Sequence, residues 1–252
     1  MNHRAIDVTP SEPIAQTLLT ALLALEDQFP IEVTHDVLEK AAWWGATVLA
    51  GNDTLNLTRI TDPDEMALKH FADSWSVMGI LRDIPEGASV LDIGTGAGFP
   101  GVPIAIARPD LKVTYIDTMG KRLTWIKAAY AALGWEVPRT VHARAEVIGC
   151  DVKWREQADV VVARAVSALP RLLEWCAPLV KVDGIFIAMK GDTLEEEGTA
   201  ARQLGMKREQ TISGTLVGVE EIERNILVYR KVMSTPGQFP RAINEIKTKP
   251  LR

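Results

Sequence analysis

Apolar residues in the first third of the chain recur at steps of three and four. Ile14, Leu18, Leu22 and Leu25 fall on one face of a helix, and Leu38, Ala41, Ala42 and Leu49 line a second helix after the break at Pro30. A loop is expected over 51–58, followed by a further helical stretch over 63–81. From Ser89 the period changes. Short apolar runs over 89–93, 112–116, 139–142, 159–163 and 185–189 read as strands, and helical stretches such as 119–133 and 171–180 separate them. That alternation predicts a parallel sheet with helical crossovers. Two more runs, 211–217 and 225–231, are joined by a short turn and predict an antiparallel pair, making seven strands in an α/β fold. The pattern divides the chain into an N-terminal helical cap (1–84), a main domain (85–233) and a C-terminal tail (234–252).

Composition narrows the class. With 47% apolar and 24% charged residues in 252, the chain can bury a core, which excludes a disordered or collagenous protein. The most apolar N-terminal stretch, 14–25, carries Gln16, Thr17 and Thr20 and stops at Glu26-Asp27, so it is too short to span a bilayer. It has neither the basic start nor the cleavage site of a signal peptide, and the protein reads as cytoplasmic, with no membrane partner and no metal. Cys150 and Cys176 form no disulfide framework, and the scattered His3, His35, His70 and His142 do not complete a metal site. Net charge is −5, but 230–252 holds six basic residues and one acid, leaving the rest at −10. The tail is a basic arm, either a solvated terminus or a contact for phosphates.

The richest segment is Ser89 to Gly101, where a strand runs into Gly94, Gly96 and Gly98 and a helix follows. Glycines let the main chain approach a ligand, and the helix offers unpaired N–H groups. Gly96, Gly98 and Gly101 match the dinucleotide spacing, yet the strand ends at Ile93, so the turn begins at Gly94. Asp92 supports the register Gly94, Gly96, Gly98. Its carboxylate suits a ligand with an ammonium and a sulfonium, such as S-adenosylmethionine, better than a pyrophosphate. Asp117 closes the next strand, where it can accept ribose hydroxyls or cap the following helix. Ala145 and Glu146 follow the third strand, where an adenine would be met, and Arg164 follows the fourth at the carboxyl edge. A nicotinamide-dependent oxidoreductase would carry Tyr-x-x-x-Lys, but Tyr115, Tyr130 and Tyr229 are followed four residues on by Met119, Gly134 and Met233.

The loop after the fourth strand, 164–170, lacks the Asp/Asn-Pro-Pro-aromatic segment that holds an exocyclic amine. Cys176 lies within a predicted helix beside Trp175 and reads as a buried thiol, not as the nucleophile that carbon methylation of a pyrimidine needs. A ring nitrogen with an in-plane lone pair, such as guanine N7, needs no deprotonation and is permitted by what is present.

Several blocks together resemble the bacterial ribosomal RNA small subunit methyltransferase G family: Asn56-Leu57-Thr58, Lys69 to Ser74, Val90 to Pro103, Asp117 with Gly120-Lys121-Arg122, Arg144 to Glu146, Ala163 to Ala165, and Met189 to Gly191. Gly98-Phe99-Pro100-Gly101 is the distinguishing part. The resemblance implies a seven-stranded, Rossmann-like class I methyltransferase fold with S-adenosylmethionine as donor and N7 of a guanine in 16S ribosomal RNA, guanine 527 of the 530 loop, as acceptor. It puts cofactor contacts on Gly94, Phe99, Asp117, Ala145, Glu146 and Arg164, beside Asp92, Gly96 and Gly98 from the loop itself. It also turns Asn56, His70, Asp73 and Ser74, with Arg164, toward the reacting side. Lys121, Arg122, Arg241, Lys247 and Lys249 are the expected RNA contacts, with the RNA or the small ribosomal subunit as partner and the enzyme a monomer. A small-molecule methyltransferase is the alternative.

Overall fold

A computed structural model describes residues 8–164, 167–191 and 198–251 of the chain. The cap begins with α1 (Glu12–Leu23), opened by a proline in its first turn, and α2 (His35–Leu55). Leu18, Leu22, Leu38 and Trp44 are fully buried, and each such side chain contributes about 1.5–3 kcal/mol of burial. The loop expected from Gly51 is helix instead. The α2 helix continues to Leu55 because Gly51 is buried against the indole of Trp125, where a Cβ would collide, and Asn56 then ends it in the left-handed region at φ 47°. The stretch over 63–81 is not one helix. It comprises α3 (Pro63–Met66), a π-helical turn Ala67–Ala72, α4 (Asp73–Trp75) and α5 (Met78–Leu81).

The remainder alternates β1 (Ser89–Ile93), α6 (Gly101–Ala107), β2 (Lys112–Asp117), α7 (Gly120–Ala132), β3 (Arg139–His142), α8 (Ala145–Ile148), β4 (Ala158–Arg164), α9 (Leu169–Cys176), β5 (Val180–Lys190), α10 (Ala200–Gln203), β6 (Met206–Val217), β7 (Glu221–Lys231) and α11 (Ile243–Thr248). The helix expected to reach 180 stops at Cys176, followed by a short 3₁₀ turn, Ala177–Leu179, and β5 starts five residues before the predicted strand.

The seven strands lie in the order β3-β2-β1-β4-β5-β7-β6, parallel except at β7. The order reverses between β1 and β4. In open α/β sheets the crevice at that point, outside the carboxyl ends of the strands, is where ligands bind.

Both faces of the sheet are covered, so the central strands β1, β4 and β5 carry mostly apolar runs, with buried Asp92 the exception within β1. Val90, Val160, Val162 and Ile187 join one core with Leu18, Trp44 and Phe71 of the cap; Leu91, Val161, Ala163 and Phe186 join another with Leu172, Leu173 and Cys176. The tail is docked. Phe239 and Ile246 are buried, and the Arg155 guanidinium donates to the carbonyls of Gly149, Thr235 and Phe239 at 2.7–2.9 Å.

Candidate active site

At the end of β1 the chain turns through Gly94 (φ 72°), Gly96 (φ 59°) and Gly98 (φ 91°), all in the region that favours glycine, which is the register chosen from the strand end. Two carboxylates hold this turn. Asp117 accepts from Gly96 N at 3.0 Å and from Met119 N at 2.7 Å, while Asp92 accepts from the Thr95 hydroxyl and from Gly101 N at 3.0 Å. Asp92 is fully buried, and that burial pushes its pKa up to about 6. Gly101 has no room for a side chain, since a Cβ there would stand 2.6 Å from both the Asp92 carboxylate and the Tyr115 ring. The last glycine of Gly-Phe-Pro-Gly thus serves the packing beneath the loop.

Beside the turn lies a cavity of about 350 Å³, bounded by Gly94, Asp117, Arg122, Ala145, Glu146, Arg164, Trp175 and Lys247. Its volume is within the range for small-molecule sites. Among the described residues, three polar atoms of its wall are buried without a hydrogen-bond partner: Arg122 Nε, Glu146 Oε1 and Trp175 Nε1. Arg144 is 3.8 Å from Glu146 Oε1, too far for a hydrogen bond. An orphan of this kind costs about 1–3 kcal/mol, and three around one cavity point to a polar ligand that satisfies them. Asp117 has used two of its acceptor positions on backbone N–H groups and keeps two, enough for a pair of vicinal hydroxyls. The donor and acceptor set of this cavity fits S-adenosylmethionine.

A second cavity, about 330 Å³, opens on the other side of Arg164. Its wall includes Lys69, His70, Asp73, Lys190, Gly191 and Arg224, and Arg164 belongs to both cavities. Buried Asp73 binds two guanidiniums: Arg164 Nη1 at 3.0 Å and Arg224 Nε at 2.8 Å. Arg164 also donates to Lys69 O at 3.0 Å and to His70 Nδ1 at 3.1 Å. The imidazole of His70 stacks on Phe99 with ring centroids 4.4 Å apart and planes 12° from parallel. Burial, reinforced by Arg164, lowers the His70 pKa to about 3. The ring is neutral at physiological pH, and the π-helical turn brings it and Asp73 to the cavity.

Other expected residues fall elsewhere. Phe99 lies beneath His70 and, like Asp92, Gly96 and Gly98, is not part of the first cavity's wall. Ser74 is buried and donates to the carbonyl of His70 within its own helical run. Asn56 is the exposed C-cap of α2 and lines neither cavity. Arg122 faces the first cavity, 3.8 Å from Asp117, whereas Lys121 is exposed. Arg241 is committed to fully buried Glu174 by a fork of 2.8 and 2.6 Å, so it clamps the tail; Lys247 and Lys249 are exposed. Ala165, Val166 and Arg252 lie outside the described residues.

Some participants have no motif of their own. Thr58, at 2.8 Å from His70 Nε2, and Lys190 sit in segments that carry the family resemblance, but nothing in the spacing of Glu223-Arg224-Asn225 marks Arg224. Topology supplies it, because antiparallel β7 starts at the same sheet edge where parallel β4 and β5 end.

Comparison with known proteins agrees with this geometry. Residues 38–227 match the family model of the rRNA small subunit methyltransferase G, GidB. The chain is 39% identical over 226 residues to Ribosomal RNA small subunit methyltransferase G of Acetivibrio thermocellus, spanning 88% of this chain and 92% of that one. It is 44% identical over 205 residues to the protein of the same name from Lactobacillus delbrueckii subsp. bulgaricus, covering 79% and 85%. Among solved structures, a Galdieria sulphuraria protein assigned as a sarcosine dimethylglycine methyltransferase shares the fold, with a TM-score of 0.51 and 11% identity over 68% of this chain and 88% of that one. With three-quarters of its length inside the family model, the order of its strands and its paired cavities, the chain belongs to the rRNA small subunit methyltransferase G family.

Proposed function

We propose that the two cavities are the donor and acceptor halves of one methyl-transfer site, with S-adenosylmethionine in the first and N7 of a guanine of 16S ribosomal RNA presented from the second. The observation that carries this reading is Arg164, the wall common to both. S-adenosylmethionine supplies an electrophilic methyl on sulfur; the guanine supplies its own lone pair, so no proton has to leave the acceptor. The chain's residues accordingly orient and exclude. Asp117 and the glycine turn fix the nucleoside end, Arg164 sets the boundary between the cavities, and neutral His70, with Nδ1 already bonded to Arg164, is no general base.

No helix among the described residues is long and apolar enough to cross a membrane. The enzyme acts in the cytoplasm as a monomer, on RNA or on the small ribosomal subunit, with Lys121, Lys247 and Lys249 meeting phosphates around the site. The test is incubation with radiolabelled S-adenosylmethionine and small subunits lacking their modifications, followed by mapping of the label. Label on N7 of a single guanine supports the reading. Cofactor binding without transfer to RNA would overturn it in favour of a small-molecule acceptor.

A further inference from the structure

The acceptor cavity holds two guanidiniums, and they are not equivalent. Arg164 spends three N–H groups of its terminal nitrogens inside the protein, both on Nη1, to Lys69 O and Asp73, and one on Nη2, to His70 Nδ1. Arg224 donates through Nε to Asp73 and through Nη1 to Glu223 O, and among the described residues its Nη2 holds no hydrogen bond. The Arg224 side chain is one-quarter exposed and borders the cavity, so this donor is both fixed and available.

Its fixation is built from both sides. Asp73 is buried, with a side chain 6% exposed, so the pair is held in a fork and not in mobile solvent. The next residue, Asn225, is also buried; its amide donates to Gly191 O at 2.9 Å and accepts from the Ser213 hydroxyl at 2.6 Å. The strand is thereby tied to β5 and β6 at the point where Arg224 leaves it.

Purines differ at the atom next to N7. Guanine presents the acceptor O6 there and adenine the donor N6–H₂. In an N7 methyltransferase, N7 must point to the donor cavity, so the 6-substituent is the group beside it that the protein can read. A guanidinium N–H pairs with O6 and has nothing to offer an amino group.

Building on the methyl-transfer reading above, we infer that Arg224 is a specificity-determining residue of this enzyme, an N–H of its Nη2 donating to O6 of the acceptor guanine while Asp73 positions it against Arg164.

The experiment replaces the acceptor guanine in reconstituted small subunits by 2,6-diaminopurine, which keeps N7 and the 2-amino group but exchanges O6 for an amine. Wild-type enzyme, Arg224→Ala and Arg224→Lys are compared for kcat and KM on both substrates, with cofactor affinity measured by calorimetry. The wild type is expected to prefer guanine by tenfold or more in kcat/KM. In Arg224→Ala that preference falls to threefold or less through loss on guanine alone, with cofactor affinity unchanged; Arg224→Lys, which keeps a charge for Asp73, restores part of it. If Arg224→Ala does not fold, Arg224→Lys alone decides, since its preference should lie below that of the wild type. An unchanged preference in a folded Arg224 variant overturns the inference while leaving the methyl-transfer reading intact. Wild-type enzyme that labels no guanine N7 would overturn that reading first.

Discussion

Nδ1 of His70 accepts from the Arg164 guanidinium across 3.1 Å, and that contact decides where the ring carries its proton. Arginine only donates, so neutral His70 is protonated on Nε2, which donates to the Thr58 hydroxyl at 2.8 Å. Protonating Nδ1 would remove the bond and set two cations side by side.

The pH dependence of stability follows. The His70 pKa is about 3 in the fold against 6.5 in a solvated chain. Between these values the unfolded chain holds a proton that the folded one lacks, so stability contributed here is complete above pH 6.5 and declines as pH falls toward 3. The slope reaches about 1.4 kcal/mol per pH unit. Urea melts of the wild type and His70→Gln between pH 7.5 and 5 should show the shallower dependence in the variant. Parallel curves would mean that the ring is not held neutral.

The proposed donor site uses the acceptor positions that Asp117 keeps beyond the N–H groups of Gly96 and Met119. Asp117→Ala is expected to weaken S-adenosylmethionine binding by about 1.5–3 kcal/mol, the range for a hydrogen bond to a charged group, as read by isothermal calorimetry. Full affinity in a folded variant would move the ribose elsewhere.

In the tail, fold and RNA contact separate. Arg241→Ala strands the buried carboxylate of Glu174 and should lower stability by about 3–5 kcal/mol in denaturant melts, whereas pairing Glu174→Leu with Arg241→Met should recover much of it. Lys247→Ala and Lys249→Ala, at exposed positions, should leave the melt unchanged and reduce the salt dependence of RNA binding. RNA affinity that is equal across salt for these variants would count against the basic arm.

Gly101→Ala pushes a methyl against Asp92 and Tyr115. The expected cost is about 1–3 kcal/mol of stability from overpacking, with weaker cofactor binding as the loop shifts. A variant with wild-type melting and affinity would show that the space beneath the loop yields freely.

Much of the sheet was legible because buried parallel strands are short, continuous apolar runs. Positions 89–93 match their strand from end to end, and so do 139–142, although that edge strand, Arg-Thr-Val-His, is neither buried nor continuously apolar. The register of the glycine loop was readable because a strand end fixes where left-handed backbone starts. Gly51 misled because a glycine in a helix also marks close packing, and Trp125 is distant in the chain. The same limit applies to the site. Asp117, Glu146 and Arg164 stand where strand ends place them, but the Asp73 to Arg224 contact joins the cap to the seventh strand, and no local pattern encodes that meeting.

The position of β7 between β5 and β6 has a consequence in time. A ribosome releases β6 before the strand that connects it to the sheet, so β6 waits unpaired while nearly all of the donor cavity's wall has already been made. Because β7 lies between β5 and β6, β6 joins the sheet only through β7, the same strand that brings Arg224 to Asp73. A chain cut before that strand would lack Arg224 in the wall of the second cavity and its contact with Asp73.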